Sequence, residues 1–325
     1  MFVCMKEDIK KDEINKIVKE INSLGFEVKI SDNFLDIKCE EKDMGNIIPV
    51  LKDRYVGSSI YKHCAHYHNY PSITVNGYSF NEESFAIIAG PCSVESEEQV
   101  KIITQSIKNN INFLRGGAYK PRTSPYEFQG LCTEGLELLK KHSNNKPIVT
   151  EITSIEQLSY FIDNVDIIQV GARNMQNFDL LKKLGNTNKV ILLKRGLSNT
   201  IHEWLCAAEY IMDGGNKNVI LCERGIRTFE NYTRNTLDLS AVIAAKKLTC
   251  LPVIVDPAHA SGKWWMIEKL SKAALAVGAD GLMIEVHHKP CEALSDGPQS
   301  LLPDKFNTLI DELKVLAPHF KKKVI

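Results

Sequence analysis

The chain has 325 residues, 44% of them hydrophobic, and its 40 Lys and Arg are balanced by 40 Asp and Glu. That is enough apolar material for a barrel of about 240 residues and a small appendage. The lack of net charge excludes a global field drawing the protein to nucleic acid or membrane, so any anionic ligand has to be held by a local basic cluster.

Nine scattered cysteines without a CxxC pair favour a reducing compartment over a disulfide framework. Lys6, Glu7 and Asp8 interrupt any signal-peptide core, and no apolar run has the length of a membrane span. A soluble, cytoplasmic protein is expected.

Residues 1–70 read as one small α+β domain. Phe2–Met5 suits a short strand, and Ile14, Ile17, Val18, Ile21 and Leu24 follow helical spacing up to Gly25. Phe26–Ser31 and Leu35–Cys39 alternate as two strands around Asp32-Asn33. Ile47, Ile48, Leu51 and Tyr55 suggest a second helix, with Pro49 requiring a late start, and Ser58–Tyr61 suits a last strand. The order β-α-β-β-α-β is ferredoxin-like, an arrangement more often regulatory than catalytic. His63, Cys64, His66 and His68 form a dense run, but it sits where a linker is expected and brings no carboxylate.

From residue 71 to 325 the pattern changes. After a hairpin (Ser72–Val75, Asn76-Gly77, Tyr78–Phe80), eight short apolar runs alternate with helical stretches: Phe85–Ala89, Asn112–Leu114, Ile148–Thr150, Ile167–Val170, Val190–Leu193, Val219–Cys222, Val253–Val255 and Gly281–Ile284. Eight such units predict an α/β fold, a (β/α)8 TIM barrel behind a small N-terminal ferredoxin-like domain. A doubly wound sheet is the alternative, but no GxGxxG follows the first strand.

Active sites of such barrels lie at the C-terminal ends of the strands. Arg115, Lys120, Arg173, Lys194 and Arg224 fall there. Five cations facing one cavity repel one another unless an anion neutralises them, and guanidinium forks suit carboxylate and phosphate. The seventh strand is followed by Asp256 and His259, the eighth by Glu285 and Asp296; His, Glu and Asp from neighbouring strand ends read as a divalent metal site. Cys92 leaves strand one, beside strand eight once the barrel closes, and becomes a fourth ligand; a buried hydrophobe and a nucleophile are its other readings. Mixed S, N and O donors suit an ion of the Mn, Fe, Co or Zn type better than Mg²⁺. His287 and His288 are rival ligands, since alternation puts His287 on the face of Glu285.

AGPCSVES (89–96), LRGGAYKPRTSPYEFQG (114–130), QVGARNM (169–175), LLKRG (192–196), CERGIRTFE (222–230), VDPAHASG (255–262) and IEVHHKPCEALSDGPQS (284–300) resemble 3-deoxy-7-phosphoheptulonate (DAHP) synthase. The resemblance spans the barrel, from about residue 83 to 320, and residues 1–70 resemble the ferredoxin-like regulatory domain of one subgroup.

It implies the first step of the shikimate pathway, an aldol-type condensation of phosphoenolpyruvate with erythrose 4-phosphate that releases phosphate. By motif, Cys92, His259, Glu285 and Asp296 match the metal ligands. Arg115, Lys120, Arg173, Lys194 and Arg224 match the phosphoenolpyruvate contacts, and Lys120, Pro121, Arg122 and Thr123 match contacts to the sugar phosphate. Lys120 is expected as proton donor to the new alkoxide, and Glu151 as a group orienting a lysine or the attacking water.

The resemblance also implies a homo-oligomer, with a tetramer favoured, and feedback by tyrosine or phenylalanine. The alternatives are 3-deoxy-octulosonate 8-phosphate synthase, which uses arabinose 5-phosphate, and a non-catalytic barrel binding a phosphorylated metabolite. The intact Lys-Pro-Arg-Thr-Ser at 120–124 favours the four-carbon sugar.

Overall fold

A computed structural model describes residues 1–70 and 72–324. Pro71 and Ile325, the first and last positions of the expected barrel domain, lie outside the described residues. The chain divides into two compact units, Met1–Asn69 with Leu248–Cys250, and Tyr70–Lys247 with Leu251–Ile325.

The first unit runs β1 (Phe2–Met5), α1 (Lys11–Ser23), β2 (Val28–Ser31), β3 (Phe34–Ile37), α2 (Met44–Leu51) and β4 (Tyr55–Ser59). Its antiparallel sheet has the order β2-β3-β1-β4, which is ferredoxin-like. The helical spacing in α1 buries Ile17 and Ile21 against Val3 and Met5 of β1, Leu35 and Ile37 of β3, and Ile47 and Leu51 of α2.

Two expectations need correction here. Helix α2 does not start late: Pro49 lies inside it, behind a 3₁₀ turn at Glu41–Asp43. Burial of Met44 and Ile47 together with a capping box between Glu40 and Asp43 outweighs the bond that proline removes. Tyr55, expected on that helix, opens β4, so the last strand starts three residues before the predicted Ser58–Tyr61 and ends at Ser59.

In the second unit, the hairpin β5 (Ile73–Val75) and β6 (Tyr78–Phe80) precedes eight parallel strands: β7 (Ser84–Gly90), β8 (Phe113–Arg115), β9 (Ile148–Ile152), β10 (Ile167–Val170), β11 (Val190–Lys194), β12 (Val219–Glu223), β13 (Val253–Val255) and β14 (Gly281–Glu285). Strand β14 pairs back onto β7, Gly281 with Ala86 through Glu285 with Gly90, and closes the barrel. Helices α3 (Glu97–Ile107), α4 (Cys132–His142), α5 (Leu158–Asn164), α6 (Phe178–Gly185), α7 (Ile201–Asp213), α8 (Leu239–Leu248), α10 (Trp264–Ala276) and α11 (Pro303–Leu316) follow the strands in turn, with a short α9 (Pro257–Ser261) after β13.

Inward residues such as Ile88, Phe113, Leu192, Ile220 and Met283 form one buried cluster with Ile73, Val75 and Phe80 of the hairpin. Phe80 stacks on Phe113 at 5.6 Å, and Tyr78 meets the same ring edge-on. A two-residue strand, β15 (Lys323–Val324), pairs in parallel with Ser84 and Phe85 at the start of β7 and was not expected from the sequence.

Several strands run one or two residues further than the apolar runs predict. Arg115, Glu151, Lys194, Glu223 and Glu285 are therefore ladder residues and not loop residues. Rigid strand backbone places them more accurately than loops can. The second strand starts at Phe113 because the Asn112 side chain turns aside to accept the Ile87 N–H at 2.7 Å.

Candidate active site

The chain leaves β7 at Gly90, whose φ is +154°; a Cβ there would lie 2.0 Å from the Arg115 carbonyl oxygen. That close approach requires glycine and carries the chain to Cys92 on the inner side of the mouth. From β13, Asp256 caps α9: its Oδ1 accepts the His259 N–H at 3.0 Å. Its Oδ2 accepts from His259 Nδ1 at 2.7 Å and from Lys194 Nζ at 2.5 Å. With Nδ1 donating, Nε2 presents a lone pair to the mouth. It lies 3.4 Å from Glu285 Oε1 and 3.8 Å from Asp296 Oδ2.

Asp296 adopts the left-handed region, φ +54°, which Asp tolerates better than most residues. Its Oδ2 is 3.2 Å from Cys92 Sγ. One donor atom from each of Cys92, His259, Glu285 and Asp296 lies within 4.8 Å of all the others. Among the described residues this is the one such group. His287 is not part of it: its Nε2 lies 3.4 Å from Glu95 and its Nδ1 accepts the Lys289 N–H, with the His288 ring stacked on it at 5.0 Å. The His63–His68 run contributes no side chain to the group; His68 Nε2 lies 2.7 Å from the Lys62 carbonyl.

The electrostatics of the four residues ask for a cation. Burial pushes the Cys92 thiol up to about 12, helped by Glu285 and Asp296 and opposed by Lys120 and Arg115. Burial also pushes His259 down, against the pull of Asp256 and Glu285. Burial raises Asp256, Glu285 and Asp296 as well, but in each the neighbouring cations and His259 win and the carboxyl stays below its usual range. One sulfur, one imidazole nitrogen and two carboxylate oxygens within 4.8 Å of one another fit a borderline divalent ion.

Beside this group opens a cavity of about 470 Å³. Its walls carry Lys120, Arg122, Arg173, Lys194, Arg224, Arg227 and Arg234, against only Glu127, Glu151 and Asp296. Pro121 and Thr123 line it too. Lys120 Nζ reaches Cys92 Sγ at 3.0 Å, joining the cavity to the four-residue group. Glu151 accepts from Gln169 at 3.1 Å and presses on Gly171, where a Cβ would meet its Oε1 at 1.9 Å.

The picture of five free cations facing one space is corrected at two points. Arg115 does not line the cavity: its guanidinium is buried, donating to Glu285 Oε1 at 2.9 Å and to the Pro91 carbonyl at 2.8 Å. Lys194 lines it but is already paired with Asp256.

Arg227, Arg234 and Asn235 line the cavity although sequence reasoning passed over them. They lie in the connection after β12, beyond the strand end where such residues were sought. Buried Arg195 is a structural ion, bridging Glu223 and Asp238 at 3.0 Å each.

A closed (β/α)8 barrel whose mouth joins a cation-lined cavity to a thiol, imidazole and carboxylate group defines a barrel suited to small, multiply charged anions. The DAHP synthetase I family model matches residues 73–321, and the chain belongs to that family. A Thermotoga maritima protein named phospho-2-dehydro-3-deoxyheptonate aldolase is 42% identical over all of both chains. The crystal structure of a Thermotoga maritima phospho-2-dehydro-3-deoxyheptonate aldolase (DAHP synthase) superposes with a TM-score of 0.80 at 40% identity, covering 100% of this chain and 99% of its own. A Geobacter sulfurreducens 2-dehydro-3-deoxyphosphooctonate aldolase is 31% identical over 72% of this chain and 93% of its own length.

Proposed function

We propose that the cavity condenses phosphoenolpyruvate with erythrose 4-phosphate. C3 of the enol attacks the aldehyde carbon, water adds at C2, and phosphate leaves to give 3-deoxy-D-arabino-heptulosonate 7-phosphate. One observation carries this reading: a seven-cation cavity that shares Asp296 and His259 with the four-donor group. Two phosphorylated substrates repel each other, and only such a density of cations holds them at reacting distance, turning a bimolecular encounter into an oriented one.

Lys194, Arg224 and Arg173 are assigned to the carboxylate and phosphate of phosphoenolpyruvate. Arg115 acts from behind the wall, through the carboxylate of Glu285. Lys120, Pro121, Arg122 and Thr123 are assigned to the sugar phosphate. Lys120 Nζ, at the junction of cavity and thiol, gives a proton to the alkoxide formed from the aldehyde. Glu151, pinned between Gln169 and Gly171, orients the water that adds at C2. Cys92, His259, Glu285 and Asp296 would hold a divalent ion of the Mn, Fe, Co or Zn type, which supplies Lewis-acid polarisation of the aldehyde oxygen.

The full-length relative supports the four-carbon sugar; the octonate relatives match only the barrel's share of the chain. Residues 1–70 are read as a regulatory domain responding to tyrosine or phenylalanine, on a homo-oligomer with a tetramer favoured. Phosphate release from phosphoenolpyruvate with erythrose 4-phosphate, compared with arabinose 5-phosphate, tests the assignment. Faster release with arabinose 5-phosphate would move the chain to the octulosonate reaction, and no release with either would leave a silent binding barrel.

A further inference from the structure

Beside Arg115, which holds Glu285 Oε1, two further residues outside the four-donor group link its two carboxylates to each other. Gln299 is 2% exposed, and its Nε2 donates to Glu285 Oε2 at 2.5 Å. Its Oε1 accepts from Arg234 Nη1 at 3.0 Å, and the same Nη1 donates to Asp296 Oδ1 at 2.9 Å. The amide cannot be turned over, because a carboxylate only accepts and a guanidinium only donates. The backbone closes the loop, with Gln299 N–H on the Asp296 carbonyl at 3.2 Å.

Each carboxylate is thereby divided. Glu285 Oε2 is occupied by Gln299, and Oε1, which also accepts from Arg115 Nη1 at 2.9 Å, turns its remaining lone pair toward His259 Nε2 at 3.4 Å. Asp296 Oδ1 is occupied by Arg234, and Oδ2 is left toward Cys92 Sγ at 3.2 Å. We propose that Gln299 and Arg234 are positioning residues that make Glu285 and Asp296 each offer a single oxygen to a bound divalent ion.

The consequence is chemical. With one oxygen from each acid, the chain supplies four donors, and an ion of the expected type keeps room for a substrate oxygen. Were both acids free to rotate and chelate with two oxygens, that room would close. Neither residue is itself a donor to the ion. The two differ in security, since Gln299 is buried and the Arg234 side chain is 40% exposed, so the amide is expected to matter more.

The inference rests on the metal reading of the site, and the test separates the two. Metal-free full-length protein is titrated with Co²⁺ in competition with a chromophoric chelator, and the apo-protein's melting temperature is recorded alongside. Wild type should bind one equivalent; no binding overturns both the metal reading and this inference.

Gln299→Met, similar in shape but without the polar amide, should bind Co²⁺ about 10- to 100-fold more weakly, with the melting temperature within a few degrees of wild type. Arg234→Met should show a smaller fall, of at least about threefold. The double variant should be no weaker than Gln299→Met by more than about twofold, because the two residues act through one chain of bonds. Wild-type binding with both single variants unchanged overturns the inference and leaves the metal reading standing. If Gln299→Met melts far below wild type, Arg234→Met decides alone, its unaltered affinity overturning the inference and its weakened affinity supporting it.

Discussion

The two walls of the cavity are built on different terms. On the donor side, Cys92 and Glu285 are buried, and every carboxylate oxygen of Glu285 and Asp296 has a named partner within 4 Å. On the opposite side, Arg173 and Arg227 are exposed, and the contact recorded for the Arg173 guanidinium is Thr123 Oγ1 at 3.4 Å. The first wall is fixed before anything binds, whereas the second gains its order from the ligand. Fixed dipoles cost no reorganisation during reaction, while long exposed side chains lose rotamer freedom when they close on an anion. Precision sits where bonds are remade, and adaptability where charges are only held.

The largest expected effect is on the fixed wall. Removing divalent ions with excess chelator should drop phosphate release to background, and Mn²⁺, Co²⁺ or Zn²⁺ should restore it. His259→Ala should lose activity under all of these conditions. Full turnover by protein shown metal-free by elemental analysis would contradict the whole account of this wall.

Next come paired and unpaired cations. Lys194→Met removes a buried charge and leaves Asp256 without its closest cation, so kcat/KM should fall by about 10³-fold, within the 2–5 kcal/mol of a broken buried pair. Arg173→Ala, on the adaptable wall, should cost about tenfold, and in KM more than kcat. Equal losses in the two variants would erase the distinction between the walls.

A smaller effect should follow from salt. Raising ionic strength from about 0.1 to about 0.5 M screens exposed charges far more than buried ones. KM for the sugar phosphate should rise a few-fold while bound metal per chain stays constant. Metal loss at the higher salt would show that the donor wall is not insulated from solvent.

Much of this was legible in the sequence because strand ends are legible. Runs such as Val-Ile-Val at 253–255 mark β-strands by composition, and the polar residues after them fall at the barrel mouth. That reasoning singled out Cys92, His259, Glu285 and Asp296, which the fold brings within 4.8 Å. It could not show that Arg115 turns to Glu285, because which strand-end charges pair depends on closure of β14 on β7. Arg234 was passed over because it lies in an irregular connection, and Gln299 because an uncharged amide carries no signal until its partners are known. Pro49 misled for a related reason: local propensity argues against it, and tertiary burial overrules.

The smallest effect on catalysis is expected from removing residues 1–70. A chain starting at Ser72 should keep kcat within about twofold and lose inhibition by tyrosine or phenylalanine. If the full-length protein ignores both amino acids at millimolar concentration, the domain is an assembly element and not a sensor.

The hairpin of β5 and β6, with Phe80 stacked on Phe113, shares one packed cluster with the inward side chains of the strands. Among the described residues the barrel interior is thus packed on the hairpin side, and the charged cavity lies at the strand ends. Lys194 and Arg224 are buried, whereas Thr123, Arg173 and Arg227 stand at the exposed rim. A ligand held by the deep pair would lie beneath one held by the rim, and the two would then have to arrive in that order. Compulsory order of addition needs no moving lid in such a cavity; two depths of charge are sufficient.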